Sequence, residues 1–189
     1  MIGLKVYIVR HGEVLHNVLK RYSVLDEDLT ENGVKQALEL REKLKDISYD
    51  FIISSPLVRA RHTADLINVY QKEILIDERL KERSCGDLSN QPLEVTNREE
   101  YWNYNTVIQY GTSENMKSFF YRIFTFLNEL SKQDYESVLI VAHSGVTKAF
   151  SAYFEGTKDG FFLNRGLQNC EIKEYELKRG DSFNEEDFV

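Results

Sequence analysis

Short runs of apolar, largely β-branched residues alternate along this chain with longer segments of helical periodicity. Four of these runs are continuous rather than alternating: Leu4–Val9, Phe51–Ile53, Ile74–Ile76 and Val138–Val141. Such runs are typical of strands that are buried on both faces of a sheet. A fifth strand is predicted over Cys170–Leu177, where the mixed pattern of polar and apolar residues suits the edge of a sheet.

Four helices are predicted between and after these strands. The first is capped by Thr30, and the second uses Ser55–Pro56 as its N-cap and first residue and reaches about Tyr70. The third runs over Ser113–Leu130, and the fourth follows His143. Strands that alternate with helices predict an α/β fold, namely a three-layer α/β/α sandwich with a mostly parallel central sheet.

The length of the chain, 189 residues, predicts a single domain over residues 1–189. Two segments depart from the pattern of strands and helices. Residues 91–115 are polar and aromatic, and they are predicted to form a short lid inserted over the sheet. Residues 180–189 are acidic and are predicted to form a mobile terminal tail.

The chain carries a formal net charge of −7 and has two cysteines, Cys85 and Cys170. Nucleic acids and anionic membranes call for a basic protein surface, so the acidic balance predicts that neither is a partner. Two cysteines cannot build a disulfide framework, and no apolar run approaches the roughly 20 residues of a membrane helix. These features predict a soluble protein of the cytoplasm.

Two histidines directly follow predicted strands: His11 follows the first and His143 the fourth. Ligands of an open parallel sheet bind beyond the carboxyl ends of its strands, so both histidines are predicted at one functional edge. Arg10 is expected there too, as is Arg59 in the first turn of the second helix. Because arginines and helix N-termini bind anions, the sequence predicts a site for one tetrahedral phosphoryl group.

Other chemistries fit the sequence less well. Asp26–Thr30 matches a phosphatase motif with an aspartyl nucleophile, but it does not follow a strand. Neither cysteine has the arginine that cysteine phosphatases place six positions on, and no Gly-Lys-Ser/Thr phosphate loop is present. One set of side chains has the ligand types of a metal site: His11, Glu13, His16 and His143. The neighbouring arginines disfavour a cation, so no metal ion is predicted.

The blocks of sequence around these histidines resemble, in their order and spacing, the histidine phosphatase superfamily, also called phosphoglycerate mutase-like. The resemblance extends from residue 4 to about residue 177 and favours the small phosphatase branch. The matching blocks are Arg10–Glu13 with Asn17, Leu29–Ala37, Ser54–Ala64, Leu80–Arg83, Val141–Gly145 and Asn169–Cys170.

The resemblance implies a two-step phosphoryl transfer that needs neither a metal nor a cofactor. His11 would attack phosphorus and form a phosphohistidine, which water then hydrolyses. Glu82 would protonate the leaving oxygen and then activate the water, with Glu114 as the alternative acid. His143 would offset charge in the transition state. The implied phosphate-binding residues are Arg10, Asn17, Arg59, His143 and Ser144, and the implied substrate contacts are Arg83, Tyr101, Trp102 and Tyr104.

Three places depart from the pattern of the superfamily. Val14 stands where members often have Ser or Thr, and Ser144 separates His143 from the glycine that usually follows directly. Gly86–Asn90 stands where a glycine-x-aromatic-glutamate-glycine element is frequent. The changes at Val14 and Gly86–Asn90 bear on substrate contacts rather than on phosphoryl transfer.

We therefore expect a metal-independent phosphomonoester hydrolase that acts on a small phosphorylated metabolite. One alternative is a phosphoglycerate mutase, although Arg98 is the only basic residue in the segment 91–115, where mutases usually have more. The other alternative is a low-turnover member of the fold that binds phosphate or protein. One chain does not fix the oligomeric state, so a homodimer is left open.

Overall fold

The computed structural model describes residues 3–156 and 160–180. Strands in this part of the chain form one sheet: β1 (Leu4–Arg10), β2 (Phe51–Ser54), β3 (Ile74–Ile76), β4 (Ser137–Ala142) and β5 (Ile172–Leu177). Their order across the sheet is β3-β2-β4-β1-β5. The first four are parallel, and β5 pairs antiparallel with β1. The mostly parallel sheet predicted from the sequence is confirmed.

The helices of the described residues are α1 (Leu15–Val18), α2 (Glu31–Lys43), α3 (Val58–Ile67), α4 (Arg98–Tyr101), α5 (Met116–Leu130) and α6 (Ser144–Glu155). Short 3-10 turns occupy Leu44–Asp46, Glu78–Leu80, Gly86–Leu88, Leu93–Val95 and Leu163–Arg165. The four long helices correspond to the four that were predicted. The helices α1 and α4 were missed, because a single turn is too short to show helical periodicity.

Apolar side chains of the central strands point alternately into two clusters, one on each face of the sheet. In β1, Val6 and Ile8 belong to the cluster covered by α5 and α6. Tyr7 and Val9 belong to the cluster covered by α2 and α3. A strand with helices on both faces has this two-residue period of burial. The three-layer α/β/α arrangement is therefore confirmed.

The two edges of the sheet differ from its centre. At one edge lies β5, whose half-polar pattern was predicted to suit that position, and the prediction is confirmed. At the other edge lies β3, where Leu75 and Ile76 are 38% and 49% exposed. The prediction that β3 is a buried strand is wrong, because this strand pairs with β2 and the sheet ends there.

The predicted start of α3 is wrong by two residues. The sequence Ser55–Pro56 has the chemistry of a helix start, but the helix begins at Val58 and ends at Ile67 rather than near Tyr70. The backbone N–H of Ser55 still pairs with the carbonyl oxygen of Val141 in β4, at 3.0 Å. Sheet pairing therefore keeps the chain extended past the end of β2 and delays the helix.

The starts of the two longest helices follow from their capping side chains. The N-cap of α2 is Thr30, whose hydroxyl accepts the N–H of Gly33 at 3.0 Å, so this prediction is confirmed. The predicted start of α5 at Ser113 is wrong. The helix begins at Met116, because the side chain of Asn115 accepts two N–H groups of its first turn.

The segment 91–115 packs against the rest of the domain. It contains the 3-10 turn Leu93–Val95 and α4, and none of its residues, all of which are described, lies in one of the five sheet strands. Tyr101 and Trp102, at the end of α4, are buried, and the Trp102 ring packs edge-on against Phe119 of α5. A function of this segment as a lid stays a prediction.

The fold does not test the predictions of a terminal tail and of a single domain. Except for Gly180, the predicted tail 180–189 lies outside the described residues. The assignment of residues 1–189 to a single domain stays a prediction. Within residues 3–156 and 160–180, no helix is both long and apolar enough to cross a membrane.

We predict that Phe120→Ala lowers the free energy of unfolding by about 3–5 kcal/mol, the usual cost of truncating a buried aromatic side chain. Phe120 is fully buried on α5, and its ring centroid lies 4.9 Å from that of Phe162. Urea denaturation followed by circular dichroism measures the change. The control is Tyr121→Ala, because Tyr121 is 54% exposed. Equal losses of stability in the two variants would contradict this account of the core.

Candidate active site

The pairing of β1 with β4 sets the positions of the two histidines. Arg10 and Ala142 stand opposite each other at the ends of these strands, and the next residues are His11 and His143. The backbone N–H of His11 donates to the carbonyl oxygen of Ala142 at 2.9 Å. The two imidazole rings pack edge to face, with 5.2 Å between their centroids. Residues far apart in the sequence thus meet at the carboxyl edge of the sheet.

The loop that carries His11 is held by α2 and α3. The N–H of Gly12 donates to the hydroxyl of Thr63 at 3.1 Å. A Cβ on Gly12 would lie 2.5 Å from the carbonyl oxygen of Gly33, so only glycine permits this close approach. The N–H of the next residue, Glu13, donates to the side chain of Gln36 at 2.8 Å. These contacts come from the segments Leu29–Ala37 and Ser54–Ala64, so two of the sequence blocks that resemble the superfamily hold the loop in position.

His11 is a neutral imidazole whose proton position is set by its own loop. Its Nδ1 lies 2.7 Å from the carbonyl oxygen of Gly12, and since a carbonyl oxygen can only accept, Nδ1 carries the proton. The other ring nitrogen, Nε2, therefore keeps its lone pair. Burial, followed by the positive charges of Arg59 and Arg10, holds the pKa of His11 well below its usual range. The ring is thus suited to act as a nucleophile at neutral pH.

His143 is fully buried beside His11 at the N-cap of α6. Its Nε2 lies 2.7 Å from the hydroxyl oxygen of Ser55, and its Nδ1 has no hydrogen-bond partner among the described residues. Burial, with a further contribution from Arg59, holds the pKa of His143 well below its usual range. The Ser55 hydroxyl thus contacts His143 and also accepts the N–H of Leu57 at 3.3 Å, but it does not cap α3.

Arg10 and Arg59 form no ion pair with a carboxylate of the described residues. The guanidinium of Arg10 donates to the carbonyl oxygen of Leu167 at 3.0 Å, and that of Arg59 donates to the carbonyl oxygen of Val24 at 2.9 Å. The Nε atoms of both are buried and have no partner in this part of the chain. Burial lowers the pKa of both groups, but arginine stays protonated at neutral pH. The two side chains are therefore suited to bind an oxyanion.

Glu82 reaches this edge of the sheet from the segment after the 3-10 turn Glu78–Leu80. Its Oε2 accepts the N–H of Gly145 in the first turn of α6 at 3.0 Å, and its Oε1 accepts the N–H of Arg83 at 2.8 Å. A Cβ on Gly145 would lie 2.1 Å from Oε1 of Glu82. Glycine at this position therefore lets the carboxylate approach the N-terminus of the helix, a contact that the sequence analysis missed.

These side chains surround a cavity of about 700 Å³, a volume that suits a small molecule. The candidate site residues that line it are Arg10, His11, Asn17, Arg59, Glu82, Arg83 and Ser144. Among the lining residues that were not assigned to the site from the sequence are Arg21, Arg98, Lys148 and Asn169. His143 does not line the cavity; its buried ring packs against His11, which does.

Asn17 and Asn169 are joined by a hydrogen bond at one wall of the cavity. The side-chain amide of Asn169 donates to the carbonyl oxygen of His11 at 3.0 Å and to Oδ1 of Asn17 at 3.1 Å. The same Oδ1 accepts the N–H of Val14 at 3.3 Å. With its oxygen used in this way, Asn17 keeps its Nδ2 group as a donor.

Glu114, the alternative acid, lies outside the set of residues that line the cavity. Its carboxylate accepts two hydrogen bonds from the guanidinium of Arg122, at 2.8 and 2.9 Å. It also accepts the N–H of Ser84 at 3.0 Å. Glu114 is therefore engaged in holding the chain around residues 82–84.

None of the three aromatic side chains predicted to contact a substrate lines the cavity. Tyr101 and Trp102 are buried and do not line it. Tyr104 packs on Phe120, with 5.7 Å between the ring centroids. Arg83 lies between the cavity and these rings, and its Cζ is 4.1 Å from the centroid of Tyr101. Direct contact between the three aromatic residues and a substrate stays a prediction.

One of the missed residues has a local signal in the sequence. Lys148 follows Ser144 by four positions on α6, and residues at this spacing share a face of a helix. Asn169 lies in one of the blocks that resemble the superfamily, although no site role was assigned to it. Arg21 and Arg98 come from separate segments with no such signal, so their convergence follows only from the tertiary fold.

The metal-ligand types noted in the sequence are not gathered into a cluster. Among residues 3–156 and 160–180, no three His, Cys, Asp or Glu side chains are placed to hold a metal ion. His16 pairs with Glu27, at 2.5 Å between Nδ1 and Oε1. The carboxylate of Glu13 accepts the hydroxyl of Thr30 at 2.8 Å.

We predict that the free energy of unfolding falls as the pH drops below about 6.5, the usual pKa of histidine. The pKa values of His11 and His143 are lowered by folding, so the unfolded chain binds more protons than the folded protein in this range. The loss of stability continues until the pH reaches the lowered pKa values of the folded state. Denaturant titrations at a series of pH values measure this dependence.

The His11→Asn, His143→Asn double variant is expected to show a shallower dependence of stability on pH. The matched control is His62→Asn, because the side chain of His62 is 36% exposed. A double variant that keeps the slope of the unmodified protein would contradict the burial of two neutral imidazoles.

Comparisons with known proteins place this geometry in a family. The model of the histidine phosphatase superfamily (branch 1) matches residues 6–185. The "Uncharacterized phosphatase PhoE" of Bacillus subtilis is 32% identical over 177 residues, which are 89% of each chain. The "Probable phosphoglycerate mutase GpmB" of Erwinia tasmaniensis is 36% identical over 99 residues, 51% of this chain and 46% of that relative.

A solved structure shares the fold over nearly the whole chain. It is a phosphoserine phosphatase mutant from Entamoeba histolytica in complex with phosphoserine, with a TM-score of 0.80 and 25% identity. The similarity covers 94% of this chain and 92% of that one. With two histidines and two arginines at the carboxyl edge of a parallel sheet, and with a family model that spans almost all of its length, the chain belongs to the histidine phosphatase superfamily (branch 1).

Proposed function

We propose that this protein hydrolyses phosphomonoesters of small metabolites through a phosphohistidine intermediate on His11. The observation that carries the proposal is the neutral, buried ring of His11, whose Nδ1 is bonded to the carbonyl oxygen of Gly12 and whose Nε2 keeps its lone pair. Membership of the histidine phosphatase superfamily and the similarity to a relative named as a phosphatase support hydrolysis as the reaction.

In the first step, Nε2 of His11 attacks phosphorus in line with the leaving oxygen. The N–P bond forms as the P–O bond to the leaving group breaks. Glu82, protonated at this stage, gives its proton to the leaving oxygen, which takes the electron pair of the broken bond. An alcohol therefore departs, and the phosphoryl group stays on His11.

In the second step, a water molecule attacks the phosphorus of the phosphohistidine. The carboxylate of Glu82 accepts a proton from this water as the new O–P bond forms. The N–P bond breaks, and its electron pair returns to Nε2 of His11. Inorganic phosphate leaves, and both side chains regain the protonation states with which they began.

The proposed ligands of the nonbridging phosphoryl oxygens are Arg10, Asn17, Arg59, His143 and Ser144. The unpartnered Nε atoms of the two arginines and the remaining donor of Asn17 support this assignment. Positive charge that is already in position offsets the negative charge of the transition state without reorganisation of solvent.

The surroundings of the two candidate acids support Glu82 rather than Glu114 as the proton donor. Glu82 lines the cavity, and it is the only Asp or Glu among the described residues that do so. Both carboxylates accept hydrogen bonds, but those of Glu82 come from two backbone N–H groups, whereas Glu114 is ion-paired with the guanidinium of Arg122, which favours its ionised form.

Hydrolysis is favoured over mutase activity by the extent of the similarities. The match to the relative named as a phosphatase covers 89% of this chain, and the match to the relative named as a mutase covers 51%. Metal independence and a cytoplasmic location belong to the same proposal. Arg10 and Arg59 supply the positive charge that metal ions supply in other phosphatases, and the two free cysteines suit a reducing compartment.

We predict turnover on a panel of phosphomonoesters that is insensitive to a chelator and is lost in a His11→Ala variant. The variant lacks the nucleophile, so kcat is expected to fall by about 10³-fold or more. Release of inorganic phosphate is the measurement. The control is His62→Ala, which removes a partly exposed histidine that does not line the cavity and is expected to keep kcat within about twofold.

Four results of this panel would each contradict part of the proposal. Undiminished turnover in the His11→Ala variant would exclude His11 as the nucleophile, and a strict metal requirement would exclude metal independence. Transfer of phosphate between the positions of glycerate, rather than to water, would indicate a mutase. Saturable phosphate binding without turnover would indicate a low-turnover member of the fold that binds phosphate.

We predict that Glu82→Gln lowers kcat by about 10²- to 10⁴-fold, the usual contribution of a general acid or base. The loss is expected to be larger for alkyl phosphates than for 4-nitrophenyl phosphate, because the nitrophenolate leaves readily without a proton. Steady-state kinetics with both substrates measure this difference. If Glu114→Gln instead shows the larger loss of kcat, and that loss depends on the leaving group, Glu114 rather than Glu82 is the general acid.

A further inference from the structure

The cavity contains more positive charge than one phosphoryl group offsets. The basic side chains that line it are Arg10, Arg21, Arg59, Lys81, Arg83, Arg98 and Lys148, whereas Glu82 is the only acidic one among the described lining residues. This accumulation occurs in a chain whose formal net charge is −7. Lys81 is paired with Glu78. A phosphoryl dianion held by Arg10 and Arg59 therefore leaves Arg21, Arg83, Arg98 and Lys148 without a paired carboxylate among the described residues.

Of the cations beyond Arg10 and Arg59, three are considered together because their donors meet neutral groups and they share one part of the wall: Arg83, Arg98 and Lys148. The Nε of Arg83 donates to the carbonyl oxygen of Glu114 at 2.8 Å, and the guanidinium of Arg98 donates to the hydroxyl of Tyr22 at 2.9 Å. The ammonium of Lys148 donates to the carbonyl oxygen of Leu163. Within residues 3–156 and 160–180, none of the three cations forms an ion pair with a carboxylate.

The same three cations are held around one pair of buried aromatic rings. Tyr101 and Trp102 are 2% and 6% exposed. The Cζ atoms of Arg83 and Arg98 lie 4.1 and 5.4 Å from the ring centroid of Tyr101. The Nζ of Lys148 lies 5.1 Å from the centroid of Trp102. The rings therefore fix the positions of the cations at the cavity wall.

Two of the three cations are themselves removed from water. Arg83 and Lys148 are 6% and 4% exposed. Burial lowers the pKa of Lys148 to about 8. The positive charges of Arg98 and Arg10 lower this pKa further, and the negative charge of Glu82 opposes the change. A buried charge without a counter-ion is costly, and an anion bound beside it recovers part of that cost.

We propose that Arg83, Arg98 and Lys148 form a second anion subsite, which binds a carboxylate or a further phosphate on the leaving group of the substrate. The inference rests on the proposed phosphatase function and names its substrate class: small phosphomonoesters with a second anionic group. The subsite lies on the leaving-group side, because Arg83 directly follows Glu82, the proposed donor to the leaving oxygen, and Lys148 lies one turn of α6 beyond Ser144.

The test compares three substrates that differ in one terminal group: glycerol 3-phosphate, 3-phosphoglycerate and glycerol 1,3-bisphosphate. The neutral hydroxymethyl group of the first becomes a carboxylate in the second and a phosphate ester in the third. We expect kcat/KM for at least one of the two substrates with a second anion to exceed that for glycerol 3-phosphate by about tenfold or more. For each of these two substrates, we define a preference ratio as its kcat/KM divided by that of glycerol 3-phosphate. The substrate with the larger preference ratio shows whether the subsite favours a carboxylate or a second phosphate.

Lys148→Met is expected to reduce the larger preference ratio to near one, mainly by raising KM for the substrates with a second anion. Lys81→Met is the matched control, since Lys81 also lines the cavity but is paired with Glu78. It is expected to keep the ratio of the unmodified protein. Arg98→Gln, at a partly exposed position, gives a second variant in case Lys148→Met does not fold.

Failure of the subsite and failure of the phosphatase function give different results. Equal turnover of all three substrates overturns the subsite and leaves the phosphatase function intact. A preference that survives both Lys148→Met and Arg98→Gln also overturns the subsite. If no phosphomonoester is hydrolysed, calorimetry measures binding of the same three compounds to the protein. Tighter binding of a compound with a second anion, lost in Lys148→Met, supports the subsite without the phosphatase function. Equal binding of all three compounds overturns the subsite.

Discussion

The parallel pairing of β1 with β4 brings the two histidines together, and the rest of the site is arranged around that pairing. Because Arg10 stands opposite Ala142, the residues that follow, His11 and His143, leave the sheet side by side. Both rings then enter surroundings that exclude water, and burial keeps them neutral. A neutral imidazole is also what nucleophilic attack requires, so the reactivity proposed for His11 and its burial have the same physical origin.

The cavity concentrates positive charge inside a protein whose net charge is negative. Arg10, Arg59 and Lys148 are bonded to backbone carbonyl oxygens, which orient a cation but leave its full charge uncompensated. A compact anion that enters the cavity is therefore attracted by several cations at once, whereas an extended polyanion meets the acidic exterior. The net charge of −7 and the affinity expected for small phosphorylated molecules are consistent with each other.

The two histidines could be located from the sequence because each follows a buried strand, and the carboxyl ends of parallel strands meet at one edge. Glu82 could not be found in this way, since it lies in an irregular segment, and the family resemblance alone pointed to it. Arg98 was missed because it joins the site through contacts between distant segments. Asn169 was part of a matching block, but its hydrogen bonds to His11 and Asn17 appear only in the fold. Ser55 illustrates the opposite error: a strong local signal for a helix start was outweighed by pairing with β4 and by the contact with His143.

The most direct test of this account is to mix the protein with a phosphomonoester, quench with alkali during a single turnover and locate the phosphate by peptide mass spectrometry. Alkali is required because phosphohistidine is labile in acid. The account predicts phosphate on Nε2 of His11, formed and lost at rates compatible with turnover. Phosphate on any other residue, or rapid turnover with no phosphate on the protein at any time, would contradict it.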